Sequence, residues 1–233
     1  MSQPTSLDPQ LKDFYAKAAQ TYEKNPRGTR TPTYPAFLHA QKYLPPVTPS
    51  SIVHDNACGP GIVTGELITQ GLSAGQTPPK IYATDLSPQM IDVVRNRIAT
   101  VEGWKEVEAF VCDGKDLSGL DDAIFTHSIT NFGIFGHGTN AIYRTLKPGG
   151  TALVTTFKVQ PVLLLAREVR KAINSDLSSF PPGFNDEWGT EGWLRRQFEE
   201  GGFAPERVRI EVVTFLDAYR DVEEVVQDLG GDF

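Results

Sequence analysis

The sequence predicts an α/β protein in which a doubly wound, mostly parallel sheet is covered by helices on both faces. Short runs rich in β-branched residues alternate along the chain with segments whose apolar residues recur every three or four positions, which is typical of strands joined by crossover helices. The length of 233 residues, of which 39% are hydrophobic, suits one such domain with additions rather than two full domains.

The first predicted strand leads directly into a glycine turn and a helix, within the stretch SIVHDNACGPGIVTGEL (51–67). Asp55 follows the β-branched strand residues at the carboxyl edge, where open α/β sheets bind ligands. Gly59 and Gly61 allow the backbone to turn sharply, and the following helix directs its first amide groups at the turn. The stretch predicts a cradle for a small ligand, although such glycines also mark purely structural turns.

Four further strands are predicted in order after this turn. The second strand ends at Asp85 and is followed by a helix, and the third closes on Asp113 and Gly114. The fourth strand and its loop lie within DDAIFTHSITNFG. The stretch TNAIYRTLKPGGTALVTTF predicts a helix, a Pro-Gly-Gly turn and the fifth strand.

The last third of the chain is less regular. Helices are predicted over 162–173 and 190–200, and the segment between them (175–189) is rich in Pro, Gly, Phe and Trp. The stretch ERVRIEVVTFL (206–216) alternates apolar and polar residues and predicts a sixth strand, followed by a short helix over 221–229.

The residues before the first strand are predicted to form an N-terminal helical lid (1–48). The segment 8–24 has apolar residues at helical spacing, 25–35 is a turn-rich linker, and 36–43 is a second helix that ends before two prolines. This portion must lie over the edge or the carboxyl end of the sheet, either as a lid over a ligand or by plain packing. Tyr22 is the residue that we expect to touch a ligand.

Composition and charge argue against several functions. Acidic residues outnumber basic ones by 29 to 22, giving a formal charge of -7 without a basic cluster, so we expect no nucleic-acid partner. The chain has no apolar run of roughly 20 residues and no signal-peptide pattern, so we expect no membrane association and a cytoplasmic location. Cys58 and Cys112 lack paired ligand spacing, which argues against a disulfide scaffold and a metal site.

Carboxylates come at the ends of three successive strands, at Asp55, Asp85 and Asp113, and these positions share one edge of a parallel sheet. A P-loop is excluded because GxxxxGK[ST] is absent. A nicotinamide dinucleotide is the closer competitor, because Asp85 could bind a ribose, but Asp55 at the turn would repel an anionic pyrophosphate. The three carboxylates favour a cofactor with a cationic amino acid portion.

These residues resemble the motifs of class I S-adenosylmethionine-dependent methyltransferases, in order along the chain from about residue 22 to 215. DNACGPG (55–61) resembles the first motif of that family, ATDLSPQM (83–90) its second, VCDG (111–114) its third, and LKPGG (146–150) the turn before its fifth strand. The motif DNACG and the pair Gly103-Trp104 resemble the corresponding sequences of small-molecule methyltransferases of fungal secondary metabolism, including those that methylate thiols. The resemblance implies a Rossmann-like fold and S-adenosylmethionine as the cofactor.

The resemblance also implies roles for individual residues. Asp55 would orient the turn and attract the amino group of the methionine portion, Asp85 would accept hydrogen bonds from the ribose hydroxyls, and Asp113 would accept one from the adenine amino group. The other residues that would line the cofactor are Ala57, Cys58, Gly59 and Gly61 of the turn, Leu86 and Met90 around the adenine, Gly114 beside Asp113, and Ser128 and Ile129 just after the fourth strand.

Methyl transfer requires alignment and a dry pocket, and it requires a base only for a hydroxyl or another poor nucleophile. His127, Asn131 and His137 are the candidates to face the acceptor, with ordinary loop roles as the alternative. Oxygen, nitrogen and sulfur acceptors all stay open. An insertion around 158–189 is expected to contribute a substrate wall, and aromatic residues permit an apolar or aromatic substrate: Phe132, Phe135, Phe180, Phe184 and Trp188.

The sequence departs from the family pattern at two points. Ala57 stands where a glycine is most often found, which narrows the turn slightly. The usual seventh, antiparallel strand has no counterpart after 206–216, so we predict six strands in the domain 49–233, with the open groove filled by a protein partner, a second copy, another segment or nothing. This loss favours, as an alternative, a non-catalytic or regulatory protein that keeps the fold, with or without the cofactor; a nicotinamide-dependent oxidoreductase is a second alternative.

Overall fold

The centre of the molecule is a sheet of five parallel strands in the order β3-β2-β1-β4-β5. The computed structural model describes residues 30–133, 138–159, 161–173, 186–215 and 221–224. The strands are β1 (Ile52–Asn56), β2 (Lys80–Asp85), β3 (Val107–Val111), β4 (Phe125–Asn131) and β5 (Leu146–Thr155). The predicted α/β class with a parallel sheet is therefore confirmed.

Helices connect the strands and cover the sheet: α1 (Arg30–Gln41), α2 (Ile62–Ser73), α3 (Pro88–Thr100), α4 (Thr139–Thr145), α5 (Pro161–Ile173) and α6 (Glu191–Glu200). α1 begins inside the segment 25–35, so the prediction of a linker there is wrong from Arg30 onward. Pro32 fits because the first four amide groups of a helix have no partner within it. The predicted helix over 8–24, with Tyr22, lies outside the described residues, and the lid stays a prediction.

Two hydrophobic clusters fill the two faces of the sheet. One joins Val53 and its strand neighbours to α1, α2, α3 and the ring of Trp104. The other joins Phe125 and Leu146 to α4 and the crossover segment 112–124. Because β1 lies between β2 and β4, its carboxyl end is the topological switch point of the sheet, where folds of this class bind ligands.

The fifth strand begins earlier than its sequence indicates, because the predicted turn LKPGG lies inside β5. Leu146 pairs with Phe125, the next regular pair joins Thr151 to His127, and the residues between form an irregular bulge. Gly149 has a φ of 82° there, which glycine adopts without strain.

The predicted sixth strand does not form in the described part of the chain. Pro205–Arg207 is a turn of 3-10 helix, and residues 208–215 belong to no strand. An alternating pattern specifies two faces of a strand but does not supply a neighbour to pair with. Residues 208–215 pair with no strand in the described part of the chain, so the described sheet has five strands, not the six that were predicted.

The remaining helices agree with the sequence pattern. α5 and α6 confirm the helices predicted over 162–173 and 190–200, and 222–224 are helical at the start of the predicted last helix. No helix in the described ranges is long and apolar enough to cross a membrane. The division into a lid (1–48) and a main domain (49–233) stays a prediction.

Candidate functional site

The turn between β1 and α2 has an unusual backbone. Ala57, Gly59 and Gly61 have φ values of 53°, 52° and 83°, all in the left-handed region. The turn is tied to the neighbouring strand because Cys58 N–H donates to the carbonyl of Thr84 (2.9 Å). This geometry confirms the sharp turn predicted from the glycines, and it places Ala57 in a conformation that normally favours glycine.

Asp55 is buried at the base of the turn. Its Oδ2 accepts hydrogen bonds from both the backbone N–H (3.0 Å) and the hydroxyl (2.6 Å) of Thr64 in the first turn of α2. Burial raises the pKa of Asp55 to about 7, the bonds from Thr64 oppose that rise, and the nearby Asp85 carboxylate adds to it. Asp55 thus orients the start of α2 and carries a charge that depends on pH near neutrality.

Asp85 lies on the other side of the turn, at the end of β2. Its Oδ2 accepts from Gly59 N–H and its Oδ1 from Ser87 N–H, each at 2.8 Å. Burial raises the pKa of Asp85, and these backbone bonds lower it. Beyond it, Leu86 is half-buried and Met90 is buried in the first turn of α3. Two carboxylates therefore flank the glycine turn, as the sequence predicted.

The loop after β3 meets the same edge of the sheet. Cys112 N–H donates to the carbonyl of Asp85 (3.0 Å), and Asp113 Oδ1 accepts from Lys115 N–H (3.0 Å). Gly114 lies beside β1, where a Cβ would stand 2.7 Å from Oδ1 of Asn56. The structure thus brings Asp113 and Gly114 to the edge that carries Asp55 and Asp85.

A platform of two side chains supports the turn from α3 and the segment that follows it. Arg97 Nη1 donates to the carbonyl of Pro60 (2.8 Å), and its guanidinium lies 5.8 Å from the centre of the Trp104 ring. The same ring lies so close to Gly61 that a Cβ there would stand 3.0 Å from Trp104 Cη2. In the sequence, Trp104 stood out only by the family resemblance and Arg97 did not stand out at all. Their contacts with Pro60 and Gly61 join residues far apart in the chain, and such contacts leave no local sequence pattern.

Two predicted cofactor residues lie elsewhere than expected. β4 continues through Asn131, so Ser128 and Ile129 lie within the strand and not just after it. Ser128 Oγ is 3.4 Å from Nδ1 of the buried His54, and Ile129 pairs with Asp55 in the core. His54 is neutral because burial lowers its pKa to about 3.

Two of the three candidates for the acceptor side, Asn131 and His127, are described, and they are not brought together. Asn131 lies at the carboxyl end of β4, where its Oδ1 accepts from Thr155 Oγ1 (2.8 Å). His127 lies four residues earlier, and its ring is 2.8 Å from Thr126 Oγ1 and 3.1 Å from the carbonyl of Pro45, before β1. Burial lowers the pKa of His127, with the Pro45 bond opposing it. This position argues against a catalytic role for His127, and His137 lies outside the described residues.

Aromatic residues lie just after the carboxyl ends of β4 and β5. Phe132 follows β4 and stacks on Phe157 after β5, with ring centres 4.1 Å apart. Trp188 accepts a hydrogen bond from Thr156 Oγ1 (3.4 Å) at its carbonyl, which brings the end of the predicted substrate wall to β5. The sequence missed Phe157, while Phe135, Phe180 and Phe184 lie outside the described residues.

Both cysteines are buried and free. Burial first, and then the Asp55 and Asp85 carboxylates, raise the pKa of the Cys58 thiol. Burial also raises the pKa of Cys112. Neither thiol has the environment of a reactive nucleophile. Within the described ranges no cluster of His, Cys, Asp and Glu side chains could hold a metal ion.

Comparison with known proteins agrees with this fold. Residues 53–150 match the methyltransferase domain family. The chain is 28% identical over 162 residues to methyltransferase tpcH of Aspergillus fumigatus, covering 65% of this chain and 57% of that protein. It is 28% identical over 157 residues to the acetylaranotin bis-thiomethyltransferase of Aspergillus terreus, covering 65% and 54%. A chain of the complex between the Haloferax volcanii Trm112 methyltransferase activator and a methyltransferase has a similar fold (TM-score 0.55, 19% identity, covering 93% of this chain and 92% of that one).

The five-stranded parallel sheet and the similar solved structure show the Rossmann-like fold of class I methyltransferases. The chain is also similar to two fungal methyltransferases, in agreement with the resemblance seen in the sequence. The comparisons support S-adenosylmethionine as the cofactor and do not favour the non-catalytic alternative. The chain spans little more than half the length of the two fungal relatives.

Proposed function

We propose that the protein is an S-adenosylmethionine-dependent methyltransferase that acts on a small molecule. The observation that carries this proposal is the pair of carboxylates on either side of the glycine turn, with Asp55 against α2 and Asp85 against Gly59. An amino acid ammonium and a ribose diol are the donors that such a pair would bind, whereas a pyrophosphate would be repelled.

The donor and acceptor groups at the turn fit this cofactor. A carboxylate offers about four acceptor sites, so Asp85 can accept from ribose hydroxyls while it holds the amides of Gly59 and Ser87. Asp55 keeps one carboxylate oxygen, Oδ1, beyond the one that Thr64 holds. The half-buried Leu86 and buried Met90 supply apolar surface next to Asp85, as an adenine requires.

The residues of this chain would act by binding and alignment. When bound, S-adenosylmethionine supplies a methyl carbon on a sulfonium, which an acceptor attacks in line. The turn, held by Arg97 and Trp104, would fix the cofactor relative to the end of β4. Asn131 lies at that end and could hold the acceptor, while Ser128 and Ile129, inside the strand, would act only through the core.

The acceptor belongs to the small molecules of secondary metabolism, by the likeness to the two fungal proteins. The name of the Aspergillus terreus relative describes a thiol-methylating enzyme, which supports a sulfur acceptor here. A thiol ionises near neutral pH and needs less help from a base than a hydroxyl. The transfer experiment below compares this sulfur acceptor with oxygen and nitrogen acceptors.

Calorimetry with S-adenosylmethionine and S-adenosylhomocysteine tests the cofactor. We expect both to bind, and Asp85→Asn to weaken binding by about tenfold or more, since a hydrogen bond to a charged group contributes roughly 1.5–3 kcal/mol. Asp92→Asn, in an exposed ion pair on α3, is the matched control and should bind as the wild type does. Absence of binding to either molecule would sink the proposal.

Transfer of a labelled methyl group tests the activity. The protein is incubated with labelled S-adenosylmethionine and thiophenol, phenol or aniline, and each product is counted. We expect transfer, with thiophenol the best acceptor. Cofactor binding without any transfer would favour the regulatory alternative, and tight binding of a nicotinamide dinucleotide would favour the oxidoreductase.

A protein partner or second copy that completes the sheet stays a prediction. In the described residues no strand pairs with the outer edge of β5. The similar fold solved together with a methyltransferase activator shows that one protein of this fold occurs with a partner. Sedimentation over a range of concentrations tests the homodimer, and a monomer throughout would contradict it.

A further inference from the structure

Two aromatic rings stand at the carboxyl ends of neighbouring strands. Phe132 directly follows β4 and Phe157 follows β5, and their rings stack with centres 4.1 Å apart and planes 23° apart. Both side chains are half-buried. Since β1, β4 and β5 are parallel, these rings lie at the same edge of the sheet as the glycine turn.

The backbone of Phe132 is held in a costly conformation. Its φ is 54°, in the left-handed region that L-residues with large side chains rarely adopt. Its N–H donates both to the carbonyl (3.2 Å) and to Oγ1 (3.0 Å) of Thr155, and Thr155 in turn donates to Asn131 Oδ1. Strained backbone conformations that are held by surrounding hydrogen bonds occur most often at ligand-binding and active sites.

The aromatic pair adjoins the glycine turn. Gly133, next to Phe132, packs so tightly on Ala57 that a Cβ at position 133 would clash with the Ala57 side chain. Ala57 is itself in the turn. Phe132 is therefore the neighbour in sequence of a residue, Gly133, that contacts the turn proposed to bind the cofactor.

The other side of the pair is closed by the segment Asp186–Gly189. Gly189 leaves no room for a Cβ, which would stand 2.6 Å from the carbonyl of Phe157. The Trp188 carbonyl accepts the hydroxyl of Thr156. The rings thus lie between the turn and the described end of the expected substrate wall.

We propose that the stacked rings of Phe132 and Phe157 are the surface that binds the methyl acceptor, and that this surface selects a flat aromatic acceptor. The inference rests on the proposed function, because the acceptor must lie next to the cofactor at the turn. A planar ring extends the stack by an offset or edge contact that a saturated ring cannot make. Thr155 holds the Phe132 backbone by accepting both hydrogen bonds from its N–H, and Asn131 in turn accepts from the Thr155 hydroxyl.

The test measures binding to the protein loaded with S-adenosylhomocysteine, which cannot transfer a methyl group. Calorimetry compares phenol with cyclohexanol, and anisole with methoxycyclohexane, because the members of each pair are uncharged at neutral pH and differ in planarity. We expect the aromatic member to bind about 2- to 10-fold more tightly in both pairs, the range that aromatic pairing provides. Equal affinities, or no binding of any probe, would overturn the inference.

Variants separate the ring surface from apolar contact in general. Phe157→Leu keeps an apolar side chain and should abolish the aromatic preference, while Phe157→Tyr should keep it. Phe203→Leu is the control, because Phe203 packs on the rings of Tyr143 and Phe198 rather than on the stacked pair, and it should keep the preference. A preference that survives in folded Phe157→Leu contradicts the inference.

The affinity for S-adenosylhomocysteine distinguishes this inference from the proposed function. We expect Phe157→Leu to bind it within about twofold of the wild type, because Phe157 is not among the proposed cofactor residues. If the wild type binds S-adenosylhomocysteine but does not discriminate between the rings, only the acceptor surface is wrong. If it does not bind S-adenosylhomocysteine, the proposed function fails and this inference fails with it.

Discussion

The carboxyl of Asp55 lies buried beside a second carboxylate, and its charge decides how the ligand-free turn responds to pH. Folding raises the pKa of Asp55 to about 7, so the folded protein is more stable with this carboxyl protonated than with it ionised. The stability that this provides is full below the ordinary pKa of roughly 4 and is lost as pH rises through about 7. A cofactor ammonium would instead favour the ionised form.

Affinity for S-adenosylhomocysteine should therefore rise with pH, to be about tenfold stronger at pH 8 than at pH 6. Asp85, whose pKa is also raised, contributes in the same direction. Calorimetry at the two pH values measures the change, and Asp55→Asn should reduce it while Asp92→Asn leaves it intact. Equal affinity at both values would contradict the role given to Asp55.

Ala57 tests how strictly the turn requires its left-handed backbone. A β-branched residue at a φ of 53° meets steric strain, so Ala57→Val should lower the free energy of unfolding by about 2 kcal/mol or more. Ala57→Gly relieves strain but adds freedom to the unfolded chain, and it should stay within about 1 kcal/mol of the wild type. Urea unfolding measures both, and a Val variant as stable as the Gly variant would show that the turn adapts.

At the scale of elements, α3 and the segment after it hold the turn from outside. Arg97 joins α3 to the Pro60 carbonyl, and Arg97→Ala should weaken binding of S-adenosylhomocysteine about tenfold, because the turn would lose a charged donor. Arg97→Lys should recover part of the affinity. Arg95→Ala, on the same helix in an exposed ion pair, is the control. If calorimetry gives Arg97→Ala and Arg95→Ala the same affinity, the platform has no part in binding.

The same scale shows where local patterns stop being informative. The turn after β1 and the carboxylates at the strand ends were predictable, because glycines and strand-terminal acids are local features. The end of β4 was not predictable, since pairing with β1 determines that Ser128 and Ile129 belong to the strand. Residues 208–215 have the alternation of a strand, yet a strand also requires a neighbour, which comes from elsewhere in the chain.

For the whole molecule, order along the chain was more informative than any single motif. The alternation of strands and helices predicted the parallel sheet, the acids at three successive strand ends predicted the edge where they meet, and the fold agrees with both. Features built from distant residues escaped prediction: Arg97 reaches Pro60, and Phe157 reaches Phe132, only after folding. These tertiary contacts lie at or next to the turn, so the sequence predicts the candidate site but not the groups that shape it.

Because the proposed ligand contacts β1, β2 and the loop after β3, its binding should stabilise the molecule as a whole. At a concentration of 100 times its dissociation constant, S-adenosylhomocysteine adds about 2.7 kcal/mol, which raises the melting temperature of a domain of this size by roughly 5–10 °C. A nicotinamide dinucleotide at the same concentration should leave the melting temperature unchanged, since Asp55 repels its pyrophosphate. Calorimetric melting of the protein with each ligand decides between the two cofactors, and a shift produced by the dinucleotide alone would assign the turn to the oxidoreductase alternative.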